Sequence, residues 1–205
     1  MLNKRDCAVC RGAKNIITIK IPVRLGLLSY RLLLINKSKL SLFTSVKTKE
    51  DLSKLNAGLQ YDWVTTTVFK ENNMRFTPSH KFSSLFEMLK QDRFDYMPRA
   101  IYEIYDELNM RKADLADIII EPTLAIYIPM ATYVYVSPKE PRLAKRIETG
   151  LRKLIANGEM KIILDKYYKE DIQRANLKQR TIINIPNPSD NNKDIIKYKD
   201  IWQKY

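Results

Sequence analysis

The stretch from Lys81 to Leu108 constrains this chain more than any other. Phe82, Leu85, Phe86 and Leu89 recur at i, i+3, i+4 and i+7, one apolar face of a helix. Arg93-Phe-Asp-Tyr-Met-Pro98 is short and aromatic and ends at a proline, as a strand does. Arg99 follows, and Ile101, Ile104, Tyr105 and Leu108 restart the helical spacing. The segment predicts helix, strand, helix, with a guanidinium where the strand ends. Ligands of open α/β sheets sit outside the carboxyl ends of strands, near helix N-termini. Arg99 is therefore a candidate ligand contact, and an exposed loop arginine is the other reading of the same position.

The rest of the chain alternates in the same way. Strands are expected at Ile16–Pro22, Tyr30–Ile35, Ala57–Gln60, Met74–Thr77 and Thr132–Val136. A long extended run covers Asp117 to Ile128, broken at Pro122. Thr48 can cap a helix, with Asp51 in its acidic first turn. Asp62 reads as the cap of a helix reaching Asn72. Pro141 to Asn157 is the clearest helix, with Leu143, Ile147, Leu151 and Leu154 on one face and Gly158 beyond its end. Another helix reaches about Tyr168, and after Ile183 the chain turns polar. Strands alternating with helices imply an α/β protein with a mostly parallel sheet.

Several function classes are disfavoured. The net charge of +13 suggests nucleic acid, but the basic residues are scattered and no nucleic-acid motif is present. No apolar run reaches the roughly 18 residues of a transmembrane helix. Cys7 and Cys10 form a C-x-x-C pair with no strand before it and no nearby histidine, so an unstructured start outweighs a redox pair or a metal site. With one histidine, His80, no Ser-His-Asp set stands out. The reading is a protein that is not an enzyme, with no cofactor and no metal.

Three segments together resemble extracellular solute-binding proteins of family 3, the amino-acid-type periplasmic binding proteins of ABC transporters. They are Val46-Lys-Thr-Lys-Glu-Asp-Leu52, Phe86-Glu-Met-Leu-Lys-Gln-Asp-Arg-Phe-Asp95, and Leu143 to Gly158 followed by Ile163-Leu-Asp-Lys-Tyr-Tyr168. The wording of the second and third is similar to a divergent, transporter-like branch. The resemblance spans about Ile16 to Pro188. It implies a periplasmic-binding-protein-like type II fold: two α/β lobes joined by two crossing strands, Ile21–Leu34 and Glu121–Ile128. The expected division is an unstructured start (1–15), a remnant of lobe 1 with the first crossing (16–27), a complete inserted lobe 2 (28–121), the second crossing with the end of lobe 1 (122–188), and a polar tail (189–205). Lobe 1 would be incomplete and N-terminally shortened. No signal peptide is recognisable in this chain.

The resemblance also implies a role. The ligand would be a small solute, the partner an ABC transporter permease or a membrane sensor, and the compartment the periplasm. Family members hold the ligand's amino group with an acidic residue after the strand of the second segment. Here Arg99 falls near that position, so the sign is reversed. A carboxylate or phosphate held in bidentate fashion is favoured over an ammonium group. Glu103, one turn on, either restores an acidic contact or pairs with Arg99. The helix after Asp62 offers Trp63 for stacking and Thr65, Thr66 and Thr67 for anion contacts, or is a plainly capped helix. A sensing module without transport and a degenerate fragment are the alternative readings.

Overall fold

The computed structural model describes residues 16–188. The Cys7 and Cys10 pair, the start at 1–15 and the tail at 189–205 lie outside the described residues. In order come β1 (Ile17–Ile19), β2 (Tyr30–Asn36), α1 (Leu40–Phe43), α2 (Lys49–Ser53), β3 (Ala57–Gln60), α3 (Val64–Glu71), β4 (Phe76–Ser79) and α4 (Phe82–Lys90). Then follow β5 (Tyr96–Ala100), α5 (Ile104–Met110), β6 (Ile118–Ile120), β7 (Leu124–Tyr127), β8 (Val134–Val136), α6 (Pro141–Ala156), α7 (Glu159–Ala175) and β9 (Thr181–Asn184).

Strand β2 organises the molecule. It is antiparallel to β5, β6 and β7. The seven-stranded sheet runs β4-β3-β5-β2-β7-β9, with β6 also on β2. Strands β3 and β4, β3 and β5, and β7 and β9 are parallel. The expected mostly parallel sheet is therefore mixed, because β2 runs against its neighbours. Tyr30, Leu32 and Leu34 pack in one apolar cluster and Leu33 and Ile35 in the other. Alternate residues of a strand face opposite sides, so a strand covered on both faces reads as one continuous apolar run. A separate two-stranded ribbon, β1 against β8, packs on α6 through Ile19, Val136 and Ala144.

Two extended runs differ from expectation. The run from Ile21 to Leu34 is interrupted by a short 3-10 turn, Leu27–Ser29, entered through Leu25 and Gly26 at positive φ. The run from Asp117 to Ile128 is two strands, split at Pro122 as expected. There the buried Glu121 carboxylate accepts the backbone N–H groups of Thr123 and Leu124 and the Thr123 hydroxyl. Tyr30 pairs with Tyr127 and Leu34 with Ile120, so the two runs lie side by side. The sheet continues past Glu121 into β7 and β9.

Helix α2 starts on the capping box that Thr48 and Asp51 announce. The Thr48 hydroxyl, the Lys54 ammonium and the Lys47 backbone N–H hold the Asp51 carboxyl at about 2, below its ordinary 3.8. A depressed folded-state value means that the contribution of Asp51 is complete above about pH 4 and is lost as pH falls through about 2. Urea midpoints of the parent and of Asp51→Asn should differ near neutral pH and converge by about pH 2. An undiminished gap in acid would remove the capping box as the cause.

Candidate functional site

Parallel β3 and β5 share one paired position, Ala57 opposite Tyr96. Each carboxyl end leads toward a helix, α3 after β3 and α5 after β5. A pocket of about 240 Å³ lies there. Trp63 and Thr65 line it from the start of α3, and Arg99 and Glu103 from the end of β5 and the turn after it. Four of the six residues singled out in the sequence thus meet at one place; Thr67, exposed on α3, is not among the lining residues. Thr66 also lies outside the lining; its hydroxyl donates to the Gln60 carbonyl at 2.7 Å.

The start of α3 differs from the sequence reading. Asp62 does not cap it: the N-cap is Trp63, with no side-chain hydrogen bond to the first turn. Asp62 instead accepts from the Gln60 amide at 2.9 Å. The competition expected between an Asp62 cap and a bound anion is therefore absent. The helix N-terminus keeps its partial positive charge toward the pocket wall.

Arg99 also sits differently. It lies inside β5, paired with Leu32, and not after the strand. Its side chain stacks on Trp63, 4.5 Å from the ring centre, and on Phe82 at 5.0 Å. Its Nε and one terminal nitrogen reach the two Glu107 oxygens at 2.7 and 2.5 Å. The same terminal nitrogen is 2.9 Å from Glu103. The two-pronged edge expected to take a ligand carboxylate is turned to a carboxylate of the chain itself. Burial alone would lower the Arg99 pKa, but the Glu107 bond and the two nearby carboxylates outweigh it and raise it.

Two further arginines line the pocket, and the sequence reading missed both. Arg24 donates to the Tyr102 hydroxyl and lies 4.6 Å from the centre of that ring. Burial, with Glu103 next in weight, pushes the Tyr102 hydroxyl up to about 12, so it is neutral at physiological pH. Arg31, in β2, is 5% exposed. Its terminal nitrogen contacts the Met130 sulfur at 2.8 Å, and its Nε has no hydrogen-bond partner among the described residues. Burial pulls the Arg31 pKa down, against the opposing pull of Glu103. A signal for Arg31 existed in the sequence: a lone charge within an apolar strand run requires a partner.

No protein-family model and no curated protein matches the chain. Solved structures do. The GluR0 ligand-binding core in complex with L-glutamate aligns with a TM-score of 0.54 at 9% identity, over 78% of this chain and 67% of that one. An ancestral arginine-binding protein bound to glutamine aligns with a TM-score of 0.52 at 17% identity, over 75% of this chain. The same protein bound to arginine gives 0.51. The chain spans about 64% of the length of the ancestral protein. The protein has the type II periplasmic-binding-protein-like fold, a mixed α/β architecture, as the resemblance implied. At these identities the likeness speaks for the fold. Among the described residues no helix is long and apolar enough to cross a membrane.

Proposed function

We propose that this chain is a solute-binding module that holds a small anionic solute at the start of α3, by the carboxyl ends of β3 and β5. The observation that carries the reading is the convergence of Arg24 and Arg31 on one small pocket, which the ion-paired Arg99 walls. Trp63 supplies an apolar wall, Thr65 and the helix N-terminus supply donors, and Glu103 tethers Arg99. Thr66 supports the site by fixing the β3-to-α3 turn. The pocket sits where open α/β sheets bind ligands. Its role is binding and not catalysis. By the resemblance, the pocket lies between two lobes, the partner is an ABC-type permease, and the compartment is the periplasm. A ligand-sensing module without transport is the second reading, favoured by the likeness to the GluR0 ligand-binding core.

The test is a thermal-shift and tryptophan-fluorescence titration of the full chain. The probes are L-glutamate, succinate and inorganic phosphate against L-arginine and putrescine. An anion at about 100 times its Kd should stabilise the fold by about 2.7 kcal/mol. The fluorescence change should disappear in Trp63→Phe. Stabilisation by putrescine alone, or by no probe, removes the anionic reading.

A further inference from the structure

Arg31 and Arg99 are two buried arginines of one pocket in opposite states. Arg99 presents its Nε and adjacent terminal nitrogen to the Glu107 carboxylate, the side-on geometry of a bidentate ion pair. Arg31 presents the same edge to a thioether. Its terminal nitrogen meets Met130, its Nε meets no acceptor, and among the described residues no carboxylate lies within ion-pair distance. A thioether sulfur is a weak acceptor. A buried charge without a partner is among the costliest arrangements in a fold, and it persists in functional sites because a ligand completes it.

The surroundings narrow what completes it. Arg24 shares the wall, so a second guanidinium stands beside Arg31. Its contact is to a neutral phenol, and among the described residues it has no ion pair with an acid. The uncapped start of α3 adds a third positive element. Two acids line the pocket: Glu103 is engaged by Arg99, and Asp62 accepts from the Gln60 amide. Met130 is unbranched and flexible at its tip, so its sulfur can yield to a better acceptor.

We infer that Arg31 is the residue that receives the solute's anionic group, with Arg24 as the second contact, and that Arg99 is a wall rather than the anchor. The inference rests on the solute-binding reading above. The ligand class is a small oxyanion, carboxylate or phosphate, able to accept two parallel N–H bonds from the Nε edge of Arg31. Trp63 is covered by the Arg99 guanidinium, so a flat ring stacked on that face of the indole is not what the pocket selects.

The experiment is calorimetric titration of the full chain with L-glutamate, succinate and phosphate, for the parent, Arg31→Met, Arg31→Lys and Arg99→Met/Glu107→Leu. Losing a charge-assisted bidentate contact corresponds to roughly 10- to 150-fold in Kd. Arg31→Met should show that loss, and Arg31→Lys should recover only part of it, because lysine cannot form the paired contact. The Arg99/Glu107 double variant should bind within a few-fold of the parent. A second readout is the unfolding midpoint without ligand, which Arg31→Met should leave unchanged or raise, because a buried unpaired charge is gone. If no probe binds the parent, the solute-binding reading fails and takes the inference with it. If a probe binds the parent and Arg31→Met alike, the inference alone fails. A sharply lowered midpoint in Arg31→Met also overturns it, since Arg31 is then a structural residue.

Discussion

Phe94→Ala is expected to destabilise the fold by about 3–5 kcal/mol, the range for truncating a fully buried aromatic ring. Phe94 is 1% exposed and packs with Leu34, Leu85, Leu89 and Met97. Its ring fills a specific gap. A Cβ built on Gly58 of β3 would lie 2.1 Å from the tip of that ring. Gly58 is thus a glycine because of Phe94, and the pair must be read together. Gly58→Ala alone should cost about 1–3 kcal/mol through overpacking. In the Phe94→Ala background the new methyl enters the space left by the ring, so the same change should cost much less or stabilise. Residues in contact couple in this way, and a double-mutant cycle in urea measures it. Additive effects would mean that the ring relaxes elsewhere.

The same pair explains one limit of reading this sequence. Arg93 to Pro98 reads as a strand, but β5 begins only at Tyr96. Asp92 at positive φ turns the chain, and Phe94 goes into the core beside β3 before the ladder starts. Elements whose signal is local were legible. The apolar run of β2, the capping box of α2 and the break at Pro122 appear where the residues put them, whereas the face of α6 is shifted: Leu143 is exposed, and Ala144 packs inward with Ile147 and Leu151. Elements fixed by partners were not. Strand β9, Thr-Ile-Ile-Asn, has strand-forming β-branched residues but is only four residues long, and its pairing with β7 fixes it. Helix α7 runs on past Tyr168 to Ala175, stopping where Asn176 adopts the left-handed conformation. Pro78 lies within β4, at the end of the sheet, where a missing N–H is tolerated. The pocket was partly legible. Arg99, Trp63, Thr65 and Glu103 were found because they flank strand ends and helix starts. Arg31 was hidden by its neighbours, since a charge inside an apolar strand carries no periodic signal of its own.

Glu107→Ala should be the most damaging change near the pocket. Arg99 is held in a box of Trp63, Phe82, Glu103 and Glu107, with its side chain 11% exposed and that of Glu107 15% exposed. Charges this deep are tolerated only while paired. Breaking a buried pair by removing one partner costs about 3–5 kcal/mol. Glu103 remains on one nitrogen of Arg99, which places the expected loss near the lower end, about 3 kcal/mol. Removing both charges is a different matter. Arg99→Met with Glu107→Leu keeps volume and leaves unpaired only Glu103, whose side chain is 32% exposed to water, so it should recover most of the stability. Glu107→Gln should fall between, because it retains one acceptor without the charge. Chemical unfolding of the four proteins separates these cases. A Glu107→Ala variant as stable as the parent would show that Glu103 alone satisfies Arg99. The contrast with Arg31 is the sharper result. Two arginines on neighbouring strands of one sheet should respond with opposite signs, because one has its carboxylate within the chain and the other does not.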